Sequence, residues 1–472
     1  MFDKIIRKLV KGSQTESDVE RVDCDPLPAP DDLALQQNTG EQTEMTAMPL
    51  VEAKSLDFTF IARAAVVDRS QRVVGYEYML RIGYAQRDRR QDQVARQLDQ
   101  QALLTRLAAM DLGRLLEHRY TFIALSAQVL LRPVVERLPP ELSILLIYAD
   151  SFGGSIDPNL IARIAHMRRL GYGFGLVIDE KNVHFVDRLH NLIHYVVIDA
   201  DRSNAAALLK LGLNGMARWP ETQLLIRNID DDDTFTACRD KLAPHVGIHL
   251  FQGAFLTRPQ PWRSDHVDAG KSRIIALLNG IKKQYDTPVL VETMRHDPLL
   301  LSRLLRYVNS AAVGLVSKAN SAERALAVMG RETLYRLLTV LLYCSGDISN
   351  RDMAIMDTAL IRARFAETLA ADRLLPVDCD NLFLVGMFSL LDVLLRVPAD
   401  EALLPLELAP DVLEALLGHT GRYACYLDLV IACEQGDQER IALNAALCDV
   451  SEGTVNACHL EAILWAQELA RA

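Results

Sequence analysis

The sequence predicts two domains of different class: an α/β barrel of the TIM type, then an all-α domain. Two observations carry this. Between residues 55 and 262 short apolar runs alternate with helical patterns, as a parallel sheet covered by helices requires. From 263 to 472 the strand signal stops, and apolar residues recur at helical spacing to the end. Residues 1–54 fit neither class. A chain of 472 residues, half of them hydrophobic and 24% charged, has material for two or three ordinary domains. It can bury its cores without disulfide or metal staples.

The elements follow in order. Phe2, Ile5, Ile6, Leu9 and Val10 recur at helical spacing, with Lys4, Arg7, Lys8 and Lys11 between them. Residues 1–12 thus predict a short basic amphipathic helix suited to an anionic membrane surface or a partner. A frayed terminus is the plainer alternative, because isolated helices this short are marginal. Residues 13–50 hold nine acids against one base, Arg21, and nearly no aromatics, so a disordered acidic tether is expected. Strands are predicted at Phe58–Val67, Tyr120–Leu125, Ser143–Tyr148, Gly173–Ile178, Tyr195–Ile198 and Gln223–Ile226. Helical patterns fall between them at Gln93–His118, Asn159–Leu170 and Ala205–Leu211. The second domain reads as helices at Ser272–Tyr285, Pro288–Met294, Pro298–Asn309, Ser321–Met329, Arg331–Gly346, Met353–Leu374 and Asn381–Leu395. Weaker patterns follow to Ala470. Thr287-Pro288 and Asp297-Pro298 mark helix starts, where a proline loses no hydrogen bond.

Composition excludes some functions. With 62 acids against 51 bases the net charge is -11, which argues against a nucleic-acid binder. Arginines at 303, 306, 331 and 336 come with no aromatic ladder for stacking bases. The eight cysteines form no CxxC pair and read as buried thiols of a reducing compartment. No secretory signal or spanning apolar run is visible, so a cytoplasmic location is expected, with contact at the inner membrane through residues 1–12 as an option.

Seven landmarks in the barrel region, in order, resemble the EAL family of bacterial cyclic di-GMP phosphodiesterases. They are Gly75–Arg81, Phe122–Ser126, Ile147–Ser151, Leu176–Glu180, Val197–Asp199, Ile226–Asp230 and Gln252–Leu256 with Arg258-Pro259. The resemblance implies divalent metals held by carboxylates and an asparagine at the C-terminal end of the barrel, and a lysine and further acids activating water. Glu77, Asp179, Asp199 and Gln252 match such positions, Glu180 lengthens an aspartate, and Asp230 shortens a glutamate. Arg81 follows the signature and could touch a nucleotide. The losses weigh more. Ala124 stands for the asparagine, Ile147 for a carboxylate, Val197 for the lysine and Arg227 for a glutamate. Missing acid–base help alone costs about 10²–10⁴-fold. A cation about 4 Å from a like charge costs about 4 kcal/mol at an effective dielectric near 20. The expectation is a catalytically dead domain without cofactor or metal. Tyr78 and Met79 beside Glu77 alter the pocket shape: a mouth plugged by them and Arg227 would favour a partner-facing scaffold, and an open acidic mouth around Glu77 and Asp179 a receptor. The surviving acids would serve as ion-pair partners, such as Glu77 or Asp179 with Arg227.

The helical region resembles the HDOD family, relatives of HD phosphohydrolases without the metal ligands. The landmarks are Leu304–Ala311, Ala325–Gly330, Gly386–Asp392, Cys433–Asp437 and Ala462–Ala466. Between residues 268 and 472 only His296, His419 and His459 are present, and surface or capping roles are expected of them. Ser389-Leu390 stands where the His-Asp doublet would be, and Arg362 and Arg364 where an earlier histidine would be. Asn309 reads as a binding residue or a cap, and Asp392 as a buried carboxylate in need of an arginine. The whole resembles tandem EAL–HDOD signalling proteins. That implies a non-enzymatic regulator whose two domains contact signalling proteins. Cyclic di-GMP receptor and weak phosphodiesterase are the alternatives. The oligomeric state does not follow from the sequence.

Overall fold

The computed structural model describes residues 59–82, 93–109, 119–200, 218–242, 248–258, 269–308, 319, 321–345 and 349–470. The expected helices at residues 1–12 and 205–211, the acidic tether and Asn309 lie outside them.

The barrel has eight strands among the described residues, closed in sequence order. They are β1 (Thr59–Asp68), β2 (Val73–Ile82), β3 (Tyr120–Leu125), β4 (Ser143–Tyr148), β5 (Gly173–Ile178), β6 (Tyr195–Asp199), β7 (Gln223–Arg227) and β8 (Ile248–Gln252). The predicted bounds of β3, β4 and β5 are those observed. Strands β2 and β8 were not among the predicted runs. Gly75 and the charged Glu77 and Arg81 interrupt the first, and the second is only five residues long. The sheet is not wholly parallel: β1 runs antiparallel to both neighbours. Its hairpin with β2 turns at Asp68, whose Oδ1 accepts from the backbone N–H of Ser70 and Arg72 at 2.9 and 3.0 Å. Helices α1 (Gln93–Ala109) and α2 (Pro158–Arg169) lie on the outside.

Strand parity sorts side chains into two sets. Val66, Phe122, Ile144, Leu146, Val177, Val197, Leu225 and Leu250 fill the barrel interior. Their neighbours one residue along, such as Ile123, Leu145, Ile147, Leu176, Val196 and Leu224, face the helix layer.

The helical region comprises α3 (Ala269–Lys282), α4 (Thr287–Arg295), α5 (Pro298–Val308), α6 (Ala322–Tyr343), α7 (Asn350–Ala370), α8 (Pro376–Phe388), α9 (Leu391–Leu395), α10 (Ala424–Gln435), α11 (Gln438–Leu447) and α12 (Glu452–Ala470), with shorter turns between. Inside α6, Gly330 sits at φ 73° and ψ 168°, which breaks the helix between the two predicted segments. Helix α7 is buried around most of its girth, as a central helix must be. It packs on α8, α12 and α10. Its start is a capping box: Ser349 Oγ accepts from Asp352 N, and the Asp352 carboxylate accepts from Ser349 N.

Candidate functional site at the barrel mouth and the domain joint

Register decides what faces the mouth. Glu77 pairs with inward Phe122, and Asp199 pairs with Arg227 two residues beyond the inward pair Val197 and Leu225. All three charged side chains therefore converge inside the C-terminal end of the barrel. Each is about 95% buried. Arg227 Nη1 donates to Glu77 Oε1 at 2.5 Å, and its Nε and Nη2 donate to Asp199 Oδ1 and Oδ2 at 2.8 and 3.1 Å. The Asp199 contact is bidentate, the geometry a guanidinium makes with one carboxylate. Burial alone would push the guanidinium down. Glu77, Tyr148 and Asp199 outweigh it and hold Arg227 well above its ordinary range.

The expected pairing of Glu77 with Arg227 is present; that of Asp179 is not. Asp179 Oδ1 instead accepts from the backbone N–H of Lys181 and Asn182 at 2.8 and 3.1 Å, closing the turn after β5. Glu180 is exposed. Gln252 is buried, and its Oε1 accepts from Asn228 N at 2.9 Å. Asp230 is exposed and lies 4.0 Å from Arg258. The Arg81 side chain lies outside the described residues, although its backbone belongs to β2.

One expectation needs correction, and the test of a plugged mouth has an answer. Ile147 is not a position of the mouth: it pairs with Leu176 and packs outward under the helices. The inward residue is Tyr148, whose ring lies 5.9 Å from the Arg227 guanidinium carbon. Tyr78 and Met79 do not fill the mouth either. Tyr78 faces the helix layer, and Met79 packs on the core of the helical region. Ala124 and Val197 do face inward, so those two positions lack a polar ligand there.

A divalent cation would need several free carboxylate oxygens. The ones gathered here are bonded to Arg227, and Asp179 is bonded to backbone. The residues present do not fit such an ion. Among the described residues, no group of three or more His, Cys, Asp or Glu side chains could hold one.

The helical region meets the barrel through the opposite face of β2. The hydroxyl of Tyr76, next to Glu77, donates to Asp357 of α7 at 2.8 Å, and Arg119 donates to both at 2.9 and 3.1 Å. The Arg63 guanidinium stacks over the Tyr76 ring at 4.1 Å. Arg351 reaches the carbonyl of Arg258 at 3.0 Å. Between the domains lies a cavity of about 570 Å³ whose walls include Arg63, Gln252, Asp357, Arg362, Glu434 and His459.

Arg362 accounts for the position where a histidine would stand. It makes two bonds to Glu434 at 2.7 and 3.1 Å and one to Ser389 Oγ at 3.1 Å. Asp392 is raised by burial, drawn back by the backbone N–H groups of Val393 and Asp392 and least by Arg362, whose donors are bonded to those other groups. His419 caps a short turn and contacts Asp428 at 2.6 Å, and His296 is exposed. His459 departs from expectation. It is 6% exposed, and burial with Arg63 nearby pushes it down to about 3, so it is a neutral core residue.

Comparison with known proteins follows this geometry. Residues 272–397 match the HDOD domain family. The uncharacterized protein YuxH of Bacillus subtilis is 25% identical over 427 residues, 87% of this chain and 98% of that one. The cyclic di-GMP phosphodiesterase CdgJ of Vibrio cholerae is 24% identical over 426 residues, 88% of this chain and 93% of that one. Among solved structures, the Bacillus subtilis YkuI protein, with an EAL domain, in complex with substrate c-di-GMP and calcium, is 20% identical. It covers 60% of this chain and 75% of its own, at a TM-score of 0.34. With the barrel landmarks in order on a closed eight-stranded barrel, and the HDOD match behind it, the chain is a tandem EAL–HDOD protein.

Proposed function

We propose that this chain is a non-enzymatic signal-transduction protein of bacterial cyclic di-GMP circuits. Its barrel and HDOD domain act as protein-interaction modules. One observation carries the reading: Arg227 occupies the barrel mouth and binds both Glu77 and Asp199. A cation fixed among the surviving acids opposes the metals that phosphodiester cleavage by this family would need. The inward alanine and valine at 124 and 197 supply neither ligand nor proton relay. The protein works in the cytoplasm without cofactor, and the basic segment 1–12 recruits it to the inner membrane or to a partner. No nucleic acid is involved.

The test uses purified full-length protein with magnesium or manganese and cyclic di-GMP. Chromatography reads the linear dinucleotide, and calorimetry reads binding. Glu77→Ala is the control, its fold checked by circular dichroism. Neither turnover nor heat is expected. Turnover above the metal-only blank would overturn the reading in favour of a weak phosphodiesterase. Heat without turnover, lost in Glu77→Ala, would make the chain a receptor instead.

A further inference from the structure

Three arginines are buried among the described residues: Arg227, Arg351 and Arg362. Two of them are well bonded, Arg227 to Glu77 and Asp199, and Arg362 to Glu434 and Ser389. Arg351 is not. It is the second residue of α7 and is 1% exposed. Its Nη2 donates to the Arg258 carbonyl at 3.0 Å, but its Nε and Nη1 have no hydrogen-bond partner among the described residues. Burial outweighs the pull of Asp232 and Asp352, Arg396 adds to the fall, and the guanidinium is pushed down to about 10, so it stays a cation at neutral pH.

This cation sits in the joint between the domains. Beside it, Asn350 Nδ2 donates to the Ser70 carbonyl in the β1–β2 turn at 3.0 Å. Among the described residues, few core side chains cross the joint. Ala62 of β1 and the partly buried Met79 of β2 join the helical core, while Ala354 of α7 and the partly buried Leu460 of α12 join the outer layer of the barrel. Polar contacts and the cavity of about 570 Å³ make up much of the rest. Interdomain surfaces of this polar kind permit relative motion.

We propose that the barrel–HDOD joint is a two-state element that opens and closes, and that the buried guanidinium of Arg351 biases it toward the open state. In the closed state seen here, Arg351 gives up water and recovers one carbonyl bond. When α7 lifts from the rim of the barrel, all its N–H donors are hydrated. One unmet buried donor shifts such an equilibrium by about tenfold, and a poorly paired buried charge adds to that. The cluster of Tyr76, Asp357 and Arg119 pulls toward closure. Opening parts the cavity walls, with Arg63 and Gln252 on the barrel side and Arg362 and Glu434 on the helical side. This two-state joint does not depend on whether the mouth takes cyclic di-GMP.

His459 reports the state of the joint, because it is buried and lines that cavity. The experiment treats the full chain with diethyl pyrocarbonate and follows the modification of His459 by mass spectrometry, with exposed His296 as the reference rate. Alkylation of Cys433, fully buried in α10, reports global unfolding. Arg351→Met keeps most of the side-chain length and removes the charge. It should slow His459 about tenfold or more relative to His296, as should Arg351→Leu, while Cys433 stays unalkylated. Asp357→Ala should speed His459. An unchanged or faster His459 in both Arg351 variants would overturn the proposal, as would His459 and Cys433 reacting in step in the wild type, which would make unfolding the route of exposure. Slowing of wild-type His459 by added chloride or phosphate would also overturn it, because an anion would then meet the open donors.

Discussion

Arg227 holds two buried carboxylates at once, and that makes it the residue whose loss is most readable. A buried ion pair adds little net stability over an apolar substitute, yet removing one partner strands the other. Arg227→Met would leave Glu77 and Asp199 facing each other with no cation between them. The expected loss is about 3–5 kcal/mol at pH 7.5, measured by urea unfolding. The pH dependence has a definite sign. Unpaired neighbouring carboxylates bind protons more tightly in the folded state than in the unfolded one, so the variant regains stability as pH falls toward 5. A variant as stable as wild type at pH 7.5 would show that the triad does not hold the barrel mouth together.

Among the elements, α7 and α8 make the tightest helix contact. Gly386 of α8 lies over the backbone of α7: an added Cβ would stand 2.4 Å from Ala363 N and Cα, and 2.6 Å from Arg362 C. Backbone in a packed helix cannot move aside locally. Alanine would add up to about 1 kcal/mol of helix propensity, whereas overpacking costs about 1–3 kcal/mol. The clash wins, so Gly386→Ala should lower the melting temperature in differential scanning calorimetry. Gly453→Ala in α12 meets nothing closer than Ser451 Oγ at 3.8 Å and should raise it slightly. Equal shifts in both variants would contradict this packing. The backbone of Arg362, directly before Ala363, is part of this contact, so the packing also fixes the main chain of the residue that stands where the resemblance puts a histidine.

On the scale of the whole molecule, the barrel and the HDOD region are joined by polar contacts around Asp357. β2 points Glu77 into the mouth and the adjacent Tyr76 at α7, so one strand belongs to both the site and the joint. Asp357→Ala would deprive the Tyr76 hydroxyl and Arg119 of a buried acceptor, at about 1–3 kcal/mol. The expected result is two separated calorimetric transitions where the wild type has one. One unshifted transition would sink the idea that Asp357 ties the domains. No single helix among the described residues is long and apolar enough to cross a membrane.

The sequence by itself determined the order of classes, barrel then helices, because alternating and helical periodicities are local properties of the chain. It placed β3, β4 and β5 to the residue, since each is a compact apolar run ended by polar or turn-forming residues. It also made Glu77 with Arg227 a foreseeable pair. Only the tertiary structure decided which side each residue faces. A register error of one residue exchanges inside for outside, and so Ile147 belongs to the helix layer and Tyr148 to the mouth. Likewise, only folding could bring Asp199 to Arg227 and Tyr76 to Asp357. These pairs lie 28 and 281 residues apart, and no local pattern encodes such distances. His459 makes the same point: its neutrality comes from burial between two domains, which a single helix cannot reveal.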